Sequence, residues 1–184
     1  MLILLMAALL VGPGSTAEPA GNWDVHFSPK GRCTQAVVDV LGRAKASVLV
    51  QAYSFTSAPI AKALVDARRR GVNIQVLLDK SQRTEKYSSA TFLFNNGIPC
   101  FIDARHAIAH NKVMVIDGRT VITGSFNFTR AAEESNAENL LVIANAELAG
   151  KYATNWEAHR RHSKPYTGLP TRVHPPKPKR NPAP

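Results

Sequence analysis

The stretch that decides the fold is HNKVMVIDG at residues 110–118, continued by RTVITGSFN at residues 119–127. Two apolar runs, residues 113–116 and 121–122, flank an Asp-Gly pair at positions 117 and 118. An Asp-Gly pair between apolar runs is the strongest short-range signal for a β-hairpin with a two-residue turn. The stretch is therefore predicted to form a hairpin.

The turn also predicts which residues of the hairpin face each other. If the Asp-Gly pair is the whole loop, Lys112 faces Thr123. Two positions further out His110 faces Ser125, with the Asn127 amide one step beyond. Side chains of a strand alternate between faces, and directly opposed residues have Cβ atoms about 4.5–5.5 Å apart. An imidazole, an ammonium, two hydroxyls and an amide are thus expected on one patch, which could bind and attack a phosphate.

Outside the hairpin, strands and helices alternate along the chain. Apolar or alternating runs predict strands at residues 23–27, 48–53, 72–78, 98–102 and 138–143, and helical spacing predicts helices at residues 34–46, 57–70, 89–95 and 147–159. In the last helix Leu148, Tyr152 and Trp156 lie four apart, which is typical of core anchors. The pattern predicts a layered α/β/α domain with a mixed, mostly parallel β-sheet.

Length and charge limit the architecture and the partners. A chain of 184 residues suits one domain with its own core, predicted over residues 18–162. Residues 163–184 are predicted to be an extended, Pro-rich basic tail. The formal net charge is +10, and half of it lies after Ser163, where five residues are basic and none is acidic. Such a charge favours nucleic acid or an anionic membrane surface as a partner.

Residues 1–17 are predicted to be a signal peptide or a membrane anchor. The apolar run Met1 to Gly12 is short for a bilayer core of about 30 Å, and Ser15 and Ala17 supply the small residues of a signal-peptidase site. Cleavage near Ala17 is the preferred interpretation, although no Lys or Arg precedes the apolar run, which leaves an uncleaved anchor open. In both cases the domain is expected outside the cytoplasm, in the periplasm or secreted.

Cysteine and histidine spacing predicts neither a metal site nor a cofactor. Cys33 and Cys100 could form a disulfide in an oxidising compartment or be two separately buried thiols, and the sequence leaves both alternatives open. No Cys and His cluster has zinc-ligand spacing, and no carboxylate cluster resembles a calcium loop.

A longer pattern resembles the HKD motif of the phospholipase D superfamily. It consists of His110-x-Lys112-x4-Asp117, then Gly124-Ser125-x-Asn127, and then Glu138. The order of helices and strands over residues 23–162 is also similar to that superfamily, and most similar to its small bacterial single-motif endonucleases of the Nuc type. The HKD spacing alone is moderately specific, and the GSxN sequence with a following Glu makes the pattern strong.

The resemblance implies a metal-independent phosphodiesterase that works through a phosphohistidine. His110 would attack phosphorus, since a neutral imidazole is a nucleophile. The phosphoryl oxygens would be held by Lys112, Ser125 and Asn127. Glu138 would orient the His110 ring through its other nitrogen, as carboxylates do in other systems with a histidine base.

Other residues are weaker candidates for the site. Asp117 is the third letter of the motif, yet turn chemistry fully explains an Asp in an Asp-Gly turn, so it is assigned a structural role first and a catalytic role second. Tyr53 follows a buried strand, where α/β domains place their binding loops. Arg105 and His106 precede the hairpin and could contact a substrate backbone or be solvated.

The single motif implies a homodimer. Many members of the resembled superfamily carry two motifs, and the resemblance implies that two chains pair so that His110 of the partner subunit acts as general acid. The expected function is hydrolysis of DNA, with RNA as a further substrate. The alternative is a phospholipase D-type hydrolase of phosphatidyl head groups, and a third hypothesis is a nucleic-acid-binding protein with a vestigial site.

Overall fold

The computed structural model describes residues 22–85 and 87–168. The elements in chain order are β1 (Asn22–Ser28), α1 (Cys33–Arg43), β2 (Ser47–Ala52), α2 (Ala58–Arg69), β3 (Asn73–Asp79), a 3₁₀ turn (Lys80–Arg83), α3 (Ala90–Asn95), β4 (Cys100–Asp103), β5 (Lys112–Ile116), β6 (Thr120–Gly124), α4 (Arg130–Glu134), β7 (Glu138–Ala144), α5 (Ala146–Arg160) and β8 (Lys164–Pro165). Every strand and helix predicted from the sequence overlaps one of these elements. Three elements were not predicted: the 3₁₀ turn, α4 and β8.

The strands form one mixed sheet in the order β1-β7-β6-β5-β2-β3-β4-β8. The predicted α/β fold with a mixed sheet is confirmed. The sheet is not mostly parallel, however, because β2, β3 and β4 pair in parallel and the other five strand pairs are antiparallel. The parallel strands are joined through the helices α2 and α3, whereas the hairpin of β5 and β6 reverses direction in a turn, which enforces antiparallel pairing.

Helices cover both faces of the sheet, as the layered prediction required. Strand β5 shows why, because all five of its residues are buried. Met114 and Ile116 pack into the core cluster beneath α1 and α2, and Val113 and Val115 pack against α5. Alternation of side chains sends the two pairs to opposite faces. A strand that is apolar at each of these positions is therefore stable only between two helical layers.

The predicted anchors of α5 hold this helix on the sheet. Trp156 is 1% exposed, and its Nε1 donates a hydrogen bond of 2.8 Å to the carbonyl oxygen of Val50. Leu148 and Tyr152 are partly buried and pack beside it on the sheet. The hydrogen bond satisfies the indole N–H, so the large ring can be buried without an unpaired polar atom.

The register of the hairpin differs by one residue from the prediction. Asp117 and Gly118 both have positive φ (53° and 62°), and Arg119 N donates to Ile116 O, as in a two-residue turn. The ladder nevertheless pairs Ile116 with Thr120, so Arg119 is an additional loop residue. Continuing this ladder places Lys112 level with Gly124, not with Thr123. The predicted facing of His110 and Ser125 was therefore wrong, because a one-residue shift moves each side chain to the other face.

Helix α1 is capped from a distant part of the chain. Its N-cap position is Arg32, which has a left-handed backbone and makes no side-chain capping bond. Both oxygens of the Glu133 carboxylate, from α4, accept hydrogen bonds instead, from Arg32 N (3.0 Å) and Thr34 N (2.6 Å). The carboxylate satisfies free N–H groups and complements the positive end of the helix dipole. The unpredicted α4 thus fixes the start of α1.

The domain extends beyond the predicted boundary at residue 162. Lys164 and Pro165 form β8 on the edge of β4, and Tyr166 is buried. The Tyr166 hydroxyl lies 2.6 Å from the Thr91 hydroxyl. The backbone N–H of Tyr166 donates a hydrogen bond to the carbonyl oxygen of Cys100. The first residues assigned to the tail therefore belong to the domain, because an edge strand tolerates proline. The predicted leader at residues 1–17 and the tail from residue 169 onward lie outside the described residues.

The two cysteines are free and buried. Burial raises the pKa of the Cys100 thiol to about 12. Burial and the nearby charge of Glu133 raise the pKa of Cys33 to about 11. Both thiols are thus unreactive packing groups in this structure. Among the described residues, no helix combines the length and the apolar character needed to cross a bilayer.

Candidate functional site

The predicted site residues gather at one edge of the sheet, which we call the His110 edge. Here the C-terminal ends of β1, β2 and β6 meet the N-terminal ends of β5 and β7. The five strands are consecutive in the sheet, and each is antiparallel to its neighbour among them. The register pairs Ala52 with Lys112 and Ser28 with Glu138. His110 lies two residues before Lys112, beyond the end of β5. The sheet topology therefore brings together residues that are far apart in sequence.

His110, Lys112 and Tyr53 form the centre of this edge. His110 is exposed, and its ring stacks at a tilt against Tyr53 with 4.7 Å between the ring centroids. Lys112 is only 7% exposed; its Nζ donates a hydrogen bond of 2.9 Å to the His110 carbonyl oxygen and lies 5.2 Å from the Tyr53 ring centroid. An exposed imidazole is accessible to a substrate, while the cation beside it is held in place.

The electrostatics of Lys112 depend on burial and on Glu138. Burial of the ammonium lowers the pKa of Lys112 below its ordinary value, and the negative charge of Glu138 acts in the opposite direction. An ammonium has three N–H donors, and the bond to His110 O uses one of them. A partly desolvated cation attracts a phosphoryl oxygen more strongly than a hydrated surface lysine does, because the local dielectric constant is lower.

Ser125 is positioned by Asn139, a residue that the sequence patterns did not single out. Ser125 Oγ accepts hydrogen bonds from Asn139 N (3.0 Å) and from Asn139 Nδ2 (3.3 Å). With both acceptor sites in use, the hydroxyl hydrogen is directed elsewhere and can donate to an anion. Gly124 permits this approach, since a Cβ at that position would collide with the Asn139 carbonyl oxygen and φ is +141°. The signal for Asn139 is its place next to Glu138, at the start of the same strand.

Asn127 and Glu138 complete the group at the His110 edge. Asn127 Oδ1 is buried and has no hydrogen-bond partner among the described residues. This oxygen is an acceptor, so only the Nδ2 group of Asn127 can donate to a phosphoryl oxygen. Glu138 Oε1 accepts a hydrogen bond of 3.0 Å from Asn136 Nδ2. Within the described residues Glu138 makes no hydrogen bond to His110, although its charge reaches Lys112. The predicted orienting role of Glu138 stays a prediction.

Asp117 does not join this group. It follows the far end of β5, and five residue steps of about 3.3 Å each put it roughly 17 Å from Lys112 along the strand. Its carboxylate accepts hydrogen bonds from the backbone N–H groups of Lys45 (3.0 Å), Ala46 (2.7 Å) and Ser47 (2.9 Å). The catalytic assignment of Asp117 is corrected to a structural one, because the residue ties the loop before β2 to the hairpin.

The weaker candidates have different surroundings. Tyr53 belongs to the site through its contacts with His110 and Lys112. His106 instead contacts Asp103, in a separate cluster that is described below. Arg105 donates its N–H to the same carboxylate. A separate surface hollow of about 490 Å³ lies against α1 and α2, and His110 is not among its lining residues. The candidate chemistry is thus on an open sheet edge.

A family profile described as "Cardiolipin synthase, PLD-like domain" matches residues 37–160. This range contains the whole His110 edge except Ser28. Among curated proteins, a phospholipase D of Rickettsia bellii is 45% identical over 130 residues, which are 71% of this chain and 65% of that protein. A mitochondrial cardiolipin hydrolase of Xenopus laevis is 31% identical over 139 residues, 76% of this chain and 63% of that protein. The chain thus spans slightly less than two thirds of the length of these curated relatives.

Two solved structures are similar over nearly their whole length. Nuc from Salmonella typhimurium, a phospholipase D family member, has a TM-score of 0.77 and 38% sequence identity, and the match covers 80% of this chain and 99% of that chain. NucT from Helicobacter pylori has a TM-score of 0.73 at 23% identity, covering 79% of this chain and 99% of that chain. The second likeness concerns the fold alone.

Proposed function

Because the chain belongs to the phospholipase D superfamily, we propose that it is a phosphodiesterase that cleaves nucleic acid through a phosphohistidine on His110. The superfamily predicted from the motif is confirmed by the profile match and by the Nuc structure. The observation that carries the proposed activity is the exposed His110 beside the buried Lys112 on an open edge of the sheet. A nucleophile in this position is accessible to the backbone of a long polymer.

The proposed reaction has two displacement steps at phosphorus. A nitrogen of the neutral His110 ring attacks phosphorus and forms an N–P bond while the P–O bond to the leaving group breaks. Water then attacks the phosphohistidine, which breaks the N–P bond and releases the phosphate product. In both transition states negative charge builds on the non-bridging oxygens, where Lys112, Ser125 and Asn127 supply donors. Preorganised donors lower the barrier because they need no reorientation during the reaction.

The leaving alkoxide needs a proton, and a homodimer would supply it. The contacts of the His110 side chain in the described residues are with Tyr53, and no contact joins it to another histidine. We propose that two chains pair with their His110 edges facing, so that His110 of the partner subunit protonates the leaving oxygen and later activates water. A two-fold axis between the edges would bring both imidazoles to one phosphodiester.

Nucleic acid is the preferred substrate class because of charge. The formal net charge is +10, and a polyanion is attracted to such a protein over long range. Phosphatidyl head groups are the second candidate, since the Rickettsia relatives are named phospholipase D. Ile108 and Phe27 also favour this alternative, because both are exposed apolar side chains (57% and 64%) near the His110 edge. A third hypothesis is that the protein binds nucleic acid without cleaving it.

Export to the periplasm or the medium is proposed from the predicted leader at residues 1–17 alone.

The substrate class and the metal independence can be tested together. Purified protein is incubated with plasmid DNA, RNA and phosphatidylcholine vesicles, each with and without excess chelator. We expect DNA cleavage that survives the chelator. Cleavage of lipid alone would support the second candidate, and DNA binding without cleavage the third. Loss of cleavage in a sample that circular dichroism shows to be folded, with recovery on adding a divalent ion, would point to a metal ion that cleavage needs. The same dependence in the double variant His159→Gln/His162→Gln, which removes two histidines outside the His110 edge, would overturn the phosphohistidine mechanism.

Glu138→Gln tests the proposed orienting carboxylate. The change keeps the size of the side chain and its bond with Asn136 but removes the negative charge that would align the His110 ring. We expect the turnover number to fall by about 10²- to 10⁴-fold, with an unchanged melting temperature. Glu157→Gln, on the exposed face of α5, is the matched control and should cleave at the normal rate. Near wild-type turnover of Glu138→Gln would remove Glu138 from the site.

A further inference from the structure

Three histidines surround one buried aspartate at a place that the proposed reaction does not use. Asp103 ends β4, His106 follows it in the loop, His159 lies in the last turn of α5, and His162 follows that helix. The Asp103 side chain is fully buried. One ligand atom from each of the four residues lies within 4.8 Å of the other three. We call this group the Asp103 cluster.

The imidazoles converge on the two carboxylate oxygens. Asp103 Oδ2 lies 3.0 Å from His106 Nδ1 and 2.8 Å from His159 Nδ1. Asp103 Oδ1 lies 3.3 Å from His162 Nε2. Burial favours the neutral carboxyl, but the hydrogen bonds from His159, His106 and Arg105 N outweigh it and hold the pKa of Asp103 well below its usual range.

His162 provides an independent sign that the cluster lacks a partner. Its Nε2 is buried, and the 3.3 Å contact with Asp103 does not have hydrogen-bond geometry, so the atom is unsatisfied among the described residues. Buried polar atoms in folded proteins are nearly always paired, and an exception calls for an explanation such as a bound ion.

The spacing of the four ligand atoms fits a tetrahedral cation. Zn²⁺ binds histidine nitrogens and carboxylate oxygens at about 2.0–2.2 Å, which puts neighbouring ligands about 3.3 Å apart. The three contacts of 2.8–3.3 Å between imidazole nitrogens and the Asp103 carboxylate are close to that spacing, and all four ligand atoms lie within 4.8 Å of one another. The His106 side chain is 43% exposed, which gives an ion a path from solvent.

We propose that the Asp103 cluster is a binding site for a divalent transition-metal ion of the Zn²⁺ type. All four positions are filled by protein groups, which is typical of a structural site, because a catalytic zinc keeps one position open for water or substrate. The ion would join β4 and the loop at residues 104–111 to the end of α5. Ala109 N in the same loop donates to Asp79 Oδ2 (2.7 Å), so the loop would be fixed at two points just before His110.

Metal titration of the untagged full chain tests this site. After removal of metal by a chelator and dialysis, Zn²⁺ is added in a calorimeter, and Co²⁺ is added in a spectrophotometer. We expect one ion per chain, a visible absorption band of tetrahedral cobalt, and a melting temperature that rises with Zn²⁺, since a ligand that binds the native state stabilises it. The double variant His159→Gln/His162→Gln should lose all three signals and still fold, as circular dichroism will verify.

Two control variants separate this site from the proposed active site. His26→Gln replaces a histidine on β1, outside both groups, and should bind one Zn²⁺ per chain. His110→Ala should also bind one Zn²⁺ per chain although it removes the proposed nucleophile. Absence of stoichiometric binding to the wild-type chain, or binding that persists in the double variant, would overturn the proposal. Loss of binding in His110→Ala would also overturn it, since the ion would then be at the active site.

Discussion

His110→Ala is expected to lower phosphodiester cleavage by at least about 10³-fold, because the substitution removes the atom that would form the bond to phosphorus. The fold should not change, since His110 is exposed and its loss leaves no buried cavity. Initial rates on plasmid DNA and a thermal melt of the same sample measure the two effects. His26→Ala, a histidine substitution on β1, serves as the control and should cleave at the wild-type rate.

Mixed dimers show whether the second imidazole comes from a partner subunit. Wild-type and His110→Ala chains with different affinity tags are co-expressed, and the heterodimer is isolated by two purification steps. If each subunit acted alone, the heterodimer would keep about half of the wild-type rate. With one histidine as nucleophile and the other as general acid, we expect far less than half. A heterodimer at half the rate, or a fully active monomer, would contradict the shared site.

Asp117→Ala is expected to give the largest loss of stability among the motif residues, a decrease of about 2–4 kcal/mol in the free energy of unfolding. The substitution removes the acceptor for three consecutive backbone N–H groups, those of Lys45, Ala46 and Ser47. It also places alanine at a φ of 53°, a left-handed conformation that aspartate and asparagine tolerate better. Urea denaturation of both proteins measures the difference.

Asp117→Asn separates the turn from the charge. Burial raises the pKa of Asp117, but the backbone N–H groups and the charge of Lys45 outweigh burial and lower it below its ordinary value. A lowered pKa in the folded state contributes stability at pH values above the unfolded pKa of about 3.9, and this contribution is lost as the pH falls further. The stability of Asp117→Asn should therefore be lower than that of wild type at pH 7, with the difference shrinking below about pH 4.

Cleavage by Asp117→Asn provides the contrasting result. Because Asp117 lies at the opposite end of β5 from His110, this variant should cleave DNA at close to the wild-type rate wherever it is folded. A loss of rate as large as that of His110→Ala, at a temperature well below its melting transition, would contradict the structural assignment.

Local sequence signals predicted the elements of the fold because they depend on neighbouring residues. The apolar run of β5 specified a strand buried on two faces, and the spacing of Leu148, Tyr152 and Trp156 specified the helix face that covers it. The Asp-Gly pair specified the turn. It could not specify the register, since Arg119 became an additional loop residue and β6 must also pair with β7. The cap of α1 by Glu133 was likewise not predictable, because Glu133 lies 101 and 99 positions along the chain from Arg32 and Thr34, whose N–H groups it accepts.

The same limit applies to the two polar clusters. Asn139 was not singled out because its bonds to Ser125 join residues 14 positions apart, and its place next to Glu138 does not specify this pairing. The Asp103 cluster has no zinc-ligand spacing, since Asp103 and His159 are 56 residues apart. Only the pairing of β3, β4 and α5 brings these side chains together. Conversely, the motif placed Asp117 with His110 in sequence, and the length of β5 separates them in space.

The sequence by itself determined the superfamily, the α/β fold, the hairpin and most of the residues at the His110 edge, Asn139 excepted, because each of these is encoded in short patterns and motif spacing. The tertiary structure alone decided the register, the structural role of Asp117, the positioning of Ser125 by Asn139 and the existence of the Asp103 cluster. These features depend on which strand ends meet at one edge of the sheet, and that follows from long-range strand pairing, which no local pattern contains.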